Sequence, residues 1–238
     1  MSIERQTPER KFQLGRISRV LRHALCLALG LASVGRGETP DSKPALEQYV
    51  RALESSYRGV QSLRAEFTQT HVWGARTRVE SGTVYFARGG LMRWDYREPS
   101  PKLFLATAKH LMLYVPAENQ LTRSPVKSSE DVRVPFRLLL SRLNLRKVFS
   151  KIEFADDALK PQPGCHVLRA FPKGGLDEAY SEVLMEVAPT FDIRRLVVVY
   201  ADRSRMEFVF DRIERNAVLS PSLFRFVPPP GAEIIEQR

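Results

Sequence analysis

Few residues in this chain have types and spacing that suit covalent chemistry. Cys165 and His166 are adjacent, and a thiol served by an imidazole is what a nucleophilic mechanism needs. Cys165 follows Pro161, Pro163 and Gly164 and precedes a strand-like run. Neighbours on a strand point to opposite faces, so His166 is turned away from the thiol, and Cys165 reads as a small, half-buried apolar side chain. Asp156 and Asp157 could pair carboxylates in a cleft, but they read as a strand end. His71, His110 and His166 have no zinc-ligand spacing. There is no G-x-S-x-G, no H-E-x-x-H and no P-loop. The expectation is a protein that is not an enzyme and uses no metal and no cofactor.

What the chain has in quantity is apolar surface at a period of two. The stretch SGTVYFARGGLMRWDYREP, residues 81–99, reads as two strands around a Gly-Gly turn and carries Tyr85, Phe86, Met92, Trp94 and Tyr96. A half-buried hairpin hides one face and wets the other. A loop of three or five residues sets Phe86 and Arg88 on the face of Met92 and Trp94; a loop of two or four sets Tyr85 and Ala87 there. The first register buries the larger set and is preferred.

The surrounding elements repeat this design. A helix from Ala45 presents Leu46, Tyr49, Val50, Leu53 and Tyr57 at helical spacing and stops at Gly59. The run LRAEFTQT then alternates with Leu63, Ala65 and Phe67 on one side, and KLFLATAKHLMLYVP, residues 102–116, reads as a hairpin. Residues 134–149 read as helical, with Phe136, Leu139, Leu140 and Leu143 in one row that Leu138 widens. After residue 150 come KIEFAD, CHVLRAFP, YSEVLMEVAP, RRLVVVYAD, RMEFVFDRI and SLFRFVPP, all strand-like. Short, regular turns between them predict an antiparallel meander. Val183, Met185 and Val187 share a face, as do Leu196, Val198 and Tyr200, and Met206, Phe208 and Phe210. Two helices cannot fill the concave side of some ten curled strands. Either the sheet closes on itself or it leaves room for an apolar ligand.

Residues 1–22 hold six basic residues, and an apolar run follows at 24–35. That run has the length of a signal-peptide core and is too short to span a bilayer. Residues 1–35 are expected to be a signal peptide, with Ser33 and Gly35 suiting cleavage, and residues 36–238 a single domain; a short membrane anchor is the other reading. Cys26 lies in a poor lipoprotein cleavage context. Removing six basic and two acidic groups lowers the formal charge from +10 to +6. The arginines are spread along the strands, as solvated outer faces would have them, whereas nucleic-acid binding wants them clustered. No nucleic-acid partner is expected. Cys165 alone would remain, so no internal disulfide could form.

In order and spacing these segments resemble the periplasmic outer-membrane lipoprotein carrier family, LolA, from about Leu46 to Ile235. Phe67-Thr68-Gln69-Thr70 is followed by Ser81-Gly82-Thr83, Tyr85-Phe86, Arg88, Arg93-Trp94, Tyr96 and Pro99. Then come Leu113-Tyr114, Pro116 and Gln120, and the helical Pro135-Phe136 with Leu138-Leu139. Phe171-Pro172-Lys173, Asn216, Phe224, Phe226, Pro228-Pro229 and Gly231 complete the set.

The resemblance implies a mostly β (α+β) fold, a curled antiparallel sheet forming an incomplete, half-open β-barrel with a helical lid. It implies a periplasmic carrier that receives acylated lipoproteins from an inner-membrane ABC transporter and delivers them to an outer-membrane receptor; with no further exposed apolar helix in the sequence, a monomer is expected. The acyl cavity would be lined by Phe67, Phe86, Met92, Trp94, Leu105, Leu113, Val183, Met185, Leu196, Val198, Phe208 and Phe210. The lid would use Phe136, Leu138, Leu139, Leu140 and Leu143. Arg88 matches a family arginine that holds the empty lid shut through backbone carbonyls; its other reading is an exposed hairpin arginine. The chain departs from the family pattern at Gly89, Thr107-Ala108-Lys109, Met112 and Ser204-Arg205. A lipid-sensing regulator with a related half-barrel and a free-lipid or glycolipid carrier are the alternatives.

Overall fold

The apolar stripe at 46–57 folds as helix α1, Leu46–Tyr57, and buries Tyr49, Val50, Leu53 and Tyr57. Val50 and Leu53 each contribute about 1.5–3 kcal/mol on leaving water. Among the described residues the alternating segments fold as twelve strands: β1 Ser62–Trp73, β2 Arg76–Ala87, β3 Leu91–Glu98, β4 Lys102–Ala106, β5 His110–Val115 and β6 Gln120–Pro125. They continue as β7 Phe149–Phe154, β8 His166–Pro172, β9 Glu182–Val187, β10 Ile193–Val199, β11 Arg205–Arg215 and β12 Glu233–Glu236. The computed structural model describes residues 44–126, 144–174 and 180–237. The expected signal peptide, residues 1–35, and the expected lid row at 136–143 lie outside the described residues.

All twelve strands form one sheet in the order β12-β6-β5-β4-β3-β2-β1-β11-β10-β9-β8-β7. Its edges are β12 and β7, so the curled sheet stays unclosed. Every neighbouring pair is antiparallel except β12 with β6, which is parallel. Two strands that the alternation left unread, β6 and β12, widen one wing. Bulges interrupt the register opposite Arg64–Glu66, where the extra residue lies in β11, and opposite Ser81–Gly82, where it lies in β3; such bulges re-aim the strands and increase local twist.

Two expectations are corrected. The helical reading of 134–149 runs one residue too far: among the described residues of that stretch α2, Leu145–Val148, is helical and Phe149 is not. Phe149 already pairs with Pro172 in the sheet, and Lys173 N donates to Val148 O at 2.9 Å. The segment SLFRFVPP forms no strand. It opens with a 3-10 turn, Pro221–Phe224, led in by Ser220, and its prolines cannot donate to a ladder. This segment crosses the outer face of the sheet, where Arg93 Nη1 donates to Leu223 O at 2.9 Å and Tyr114 packs on Phe226 with ring centres 5.0 Å apart.

The core lies between the concave face and α1. A smaller cluster, Ala155, Val167, Leu184 and Val197, sits on the other face. Next to it Glu186 is fully buried, accepts from Gln162 N at 2.9 Å and lies 3.1 Å from Arg195 Nε. The outer-face arginines are therefore not simply solvated. They form cross-strand ion pairs such as Arg169 with Glu182 at 3.1 Å and Arg194 with Asp211 at 3.3 Å.

Candidate functional site

The β2–β3 register sets the site. Phe86 pairs with Met92 and Val84 with Trp94, leaving a three-residue loop, Arg88-Gly89-Gly90. Both glycines take positive φ, 85° and 76°, a conformation that side chains resist. The odd loop length puts Phe86, Met92 and Trp94 on one face, the preferred of the two registers. Phe86 also pairs with Leu63 across β1, and Phe67 with Phe210 across β11. Leu196 aligns with both Phe208 and Met185, and Val198 with Val183. The apolar row thus crosses from β3 to β9 without a break in facing.

Its centre is aromatic. Trp94 meets Phe67 at 4.8 Å and Phe86 at 5.7 Å, both edge-on, and Phe208 at 5.2 Å. Such edge contacts add about 0.5–1.5 kcal/mol beyond area burial. Gly82 sits beneath Phe67, and a Cβ there would fall 2.0 Å from the carbonyl oxygen of Asp95. Only glycine lets β2 and β3 approach this closely.

Ten of the twelve expected lining residues belong to one buried cluster: Phe67, Phe86, Met92, Trp94, Val183, Met185, Leu196, Val198, Phe208 and Phe210. Leu105 does not join them. It pairs with Arg93 and Met112, whereas Phe104 pairs with Trp94, so Leu105 is buried on the opposite face. Leu113 pairs with Phe104 on the concave side, yet it is 36 % exposed and stands apart from the cluster.

Arg88 donates through Nη2 to Arg58 O at 2.7 Å and through Nε to Val60 O at 3.2 Å. These carbonyls follow α1, whose last carbonyls lack intrahelical partners. Arg215 holds the same end from another side. It donates to Ser56 O at 3.3 Å, pairs with Asp192 at 2.7 Å and stacks over Tyr57 at 4.6 Å. Tyr57 Oη accepts from Ile193 N at 3.2 Å, and burial pushes its hydroxyl pKa up. Leu145 N donates to Glu54 Oε1 at 2.8 Å, which fastens α2 to α1.

The family model described as "Outer membrane lipoprotein carrier protein LolA" matches residues 58–227. The chain belongs to the LolA family. Relatives named outer-membrane lipoprotein carrier protein include one from Methylibium petroleiphilum, 29% identical over 93% of this chain and 100% of its own length. Another, from Dechloromonas aromatica, is 27% identical over 78% of this chain and 86% of its own. Among solved structures, an uncharacterized conserved protein from Thermus thermophilus aligns at TM-score 0.49 and 13% identity, covering 80% of this chain and 99% of that one. A LolA superfamily protein from Nitrosomonas europaea aligns at TM-score 0.42 and 10% identity, covering 77% and 99%.

In this LolA-family chain the concave face has a polar patch that sequence reasoning missed. Gln69, Glu80, Tyr96 and Lys102 occupy the same face as Phe67 and Trp94 by register. The signal was available: Gln69 lies two residues after Phe67, and Lys102 two before Phe104. Among the described residues no group of three or more His, Cys, Asp or Glu could hold a metal. Asp156, the expected strand end, accepts from Val167 N at 2.7 Å and so caps the turn into β8.

Proposed function

We propose that this chain is a periplasmic carrier that holds the acyl chains of lipoproteins against its concave face and ferries them from the inner to the outer membrane. One observation supports this above the rest: large apolar side chains from β1, β2, β3, β9, β10 and β11 share one face of an unclosed sheet. Family membership argues the same way. Each CH₂ of an acyl chain withdrawn from water is worth about 0.8 kcal/mol, so a multiply acylated protein needs a shield to cross an aqueous space. The flexible thioethers of Met92 and Met185 let the cluster adapt around chains of varied length. No helix among the described residues is long and apolar enough to cross a membrane.

On this reading the protein is not an enzyme. It works as a monomer, takes cargo from an ABC transporter of the inner membrane and gives it to an outer-membrane receptor. The row Phe136, Leu138, Leu139, Leu140 and Leu143 competes with acyl chains for the concave face, and Arg88 favours the closed arrangement. The test is direct. Purified protein is expected to keep a triacylated lipoprotein soluble in detergent-free buffer, and not the same protein lacking its acylated cysteine. Equal binding of both forms would sink the carrier reading.

A further inference from the structure

The concave face is not apolar throughout. One step beyond Trp94 lies Tyr96, paired with Gly82 and Lys102, and beside it Gln69 pairs with Glu80. Tyr96 Oη donates to Gln69 Oε1 at 2.8 Å, and Gln69 Nε2 donates to Glu80 Oε2 at 3.4 Å. Lys102 Nζ donates to Glu80 Oε1 at 2.7 Å and lies 4.2 Å over the Tyr96 ring. Arg78 pairs with the same carboxylate at 2.8 Å. Glu80 is 4 % exposed and Gln69 7 %. Phe67 touches both Tyr96, at 5.0 Å, and Trp94, at 4.8 Å, so the polar patch abuts the aromatic centre directly.

Stability alone gives little reason for a buried carboxylate here, since apolar replacements of similar volume are often as good or better. The unfilled valences are more telling. Both oxygens of Glu80 and the oxygen of Gln69 are occupied, and Tyr96 has spent its one proton. An amide carries two N–H donors and an ammonium three. One N–H of Gln69 and two of Lys102 have no part in the network, so what the patch can still offer is mostly donors. Strand rise sets the Tyr96–Lys102 row about 7 Å from the Trp94–Phe104 row. That spacing suits a hydrocarbon chain on the rings with an oxygen acceptor at its end.

We infer that Gln69 and Lys102, held in place by Glu80 and Tyr96, form a donor subsite for the carbonyl-bearing end of an acyl chain whose hydrocarbon lies over Phe67, Trp94 and Phe208. The inference rests on the carrier reading. The acceptor chemistry is shared by the ester and amide carbonyls of an acylated protein and by the carboxylate of a free fatty acid.

The experiment measures displacement of an apolar fluorescent dye from the full chain by a synthetic triacylated lipopeptide, by palmitate and by hexadecane. The variants are Gln69→Leu and the double variant Lys102→Met with Glu80→Gln, which avoids leaving a buried carboxylate paired only with the exposed Arg78. Urea midpoints check that both fold. We expect about tenfold weaker displacement by carbonyl-bearing ligands, the size of one hydrogen bond to a charged donor, with hexadecane unchanged. Loss confined to the lipopeptide assigns the subsite to ester and amide carbonyls; loss confined to palmitate assigns it to a carboxylate. Three unchanged ligands, or three equally weakened, overturn the subsite and leave the carrier reading standing. A parent protein that binds none of the three overturns both.

Discussion

Arg88 Nη2 lies 2.7 Å from the carbonyl oxygen of Arg58. With the bond from Nε to Val60 O, this ties the β2–β3 loop to the end of α1, from a loop whose glycines alone permit the turn. Charge-assisted hydrogen bonds contribute about 1.5–3 kcal/mol when buried, and the exposed one here contributes less. Arg88→Leu is expected to lower stability by about 1–2 kcal/mol, read as a shifted urea midpoint. In a two-step assay, uptake from inner-membrane vesicles followed by delivery, the variant should accept lipoprotein normally and pass it on slowly. Delivery at the parent rate would reduce Arg88 to a helix-end clasp.

Among the described glycines, Gly82 is the least tolerant of a side chain. A Cβ would sit 2.0 Å from Asp95 O and 2.9 Å from the Tyr96 Cα, both backbone atoms that cannot rotate away. Overpacking against movable side chains costs about 1–3 kcal/mol. Gly82→Ala should exceed that range and part β2 from β3 beneath Phe67. Chemical denaturation would show it, with Gly174→Ala, where nothing lies within 4 Å, as the unaffected control.

Glu66 should carry part of the acid sensitivity. Burial alone would raise its pKa, but hydrogen bonds from Arg97 and Thr83 reverse the sign and hold it below the ordinary value of 4.5. A carboxylate depressed in the folded state adds stability above its unfolded pKa and loses it as pH falls through the folded one. The parent should therefore exceed Glu66→Gln in stability at pH 6, with the gap closing below about pH 4.5. A constant gap across that range would show that the ion pair is not responsible.

Cys165 is expected to be inert in the native protein. Burial and the charge of Glu186 raise its pKa, and the thiol is enclosed beside the outer cluster. Because the thiolate is the reactive form, iodoacetamide at pH 8 should leave the Cys165 peptide unmodified until urea unfolds the chain. Peptide mass mapping distinguishes it from Cys26.

Much of this was legible from residues alone. The period of two assigned Val183, Met185, Leu196, Val198, Phe208 and Phe210 to one face, because successive strand side chains must point to opposite sides. The Gly-Gly pair marked the β2–β3 loop, and the stripe from Leu46 to Tyr57 marked α1. The segment KLFLA shows where such reasoning stops. Both its faces are apolar, so alternation cannot choose between Phe104 and Leu105. Register with Trp94 chose Phe104, and the outer face could accept Leu105 because the C-terminal segment, anchored by Arg93 on Leu223, crosses that side. Likewise, charges at Glu80 and Lys102 look like solvated strand ends until three strands bring them together over Tyr96. Facing follows from local geometry, whereas depth, edges and partners depend on contacts between residues far apart in the chain, which only the assembled sheet decides.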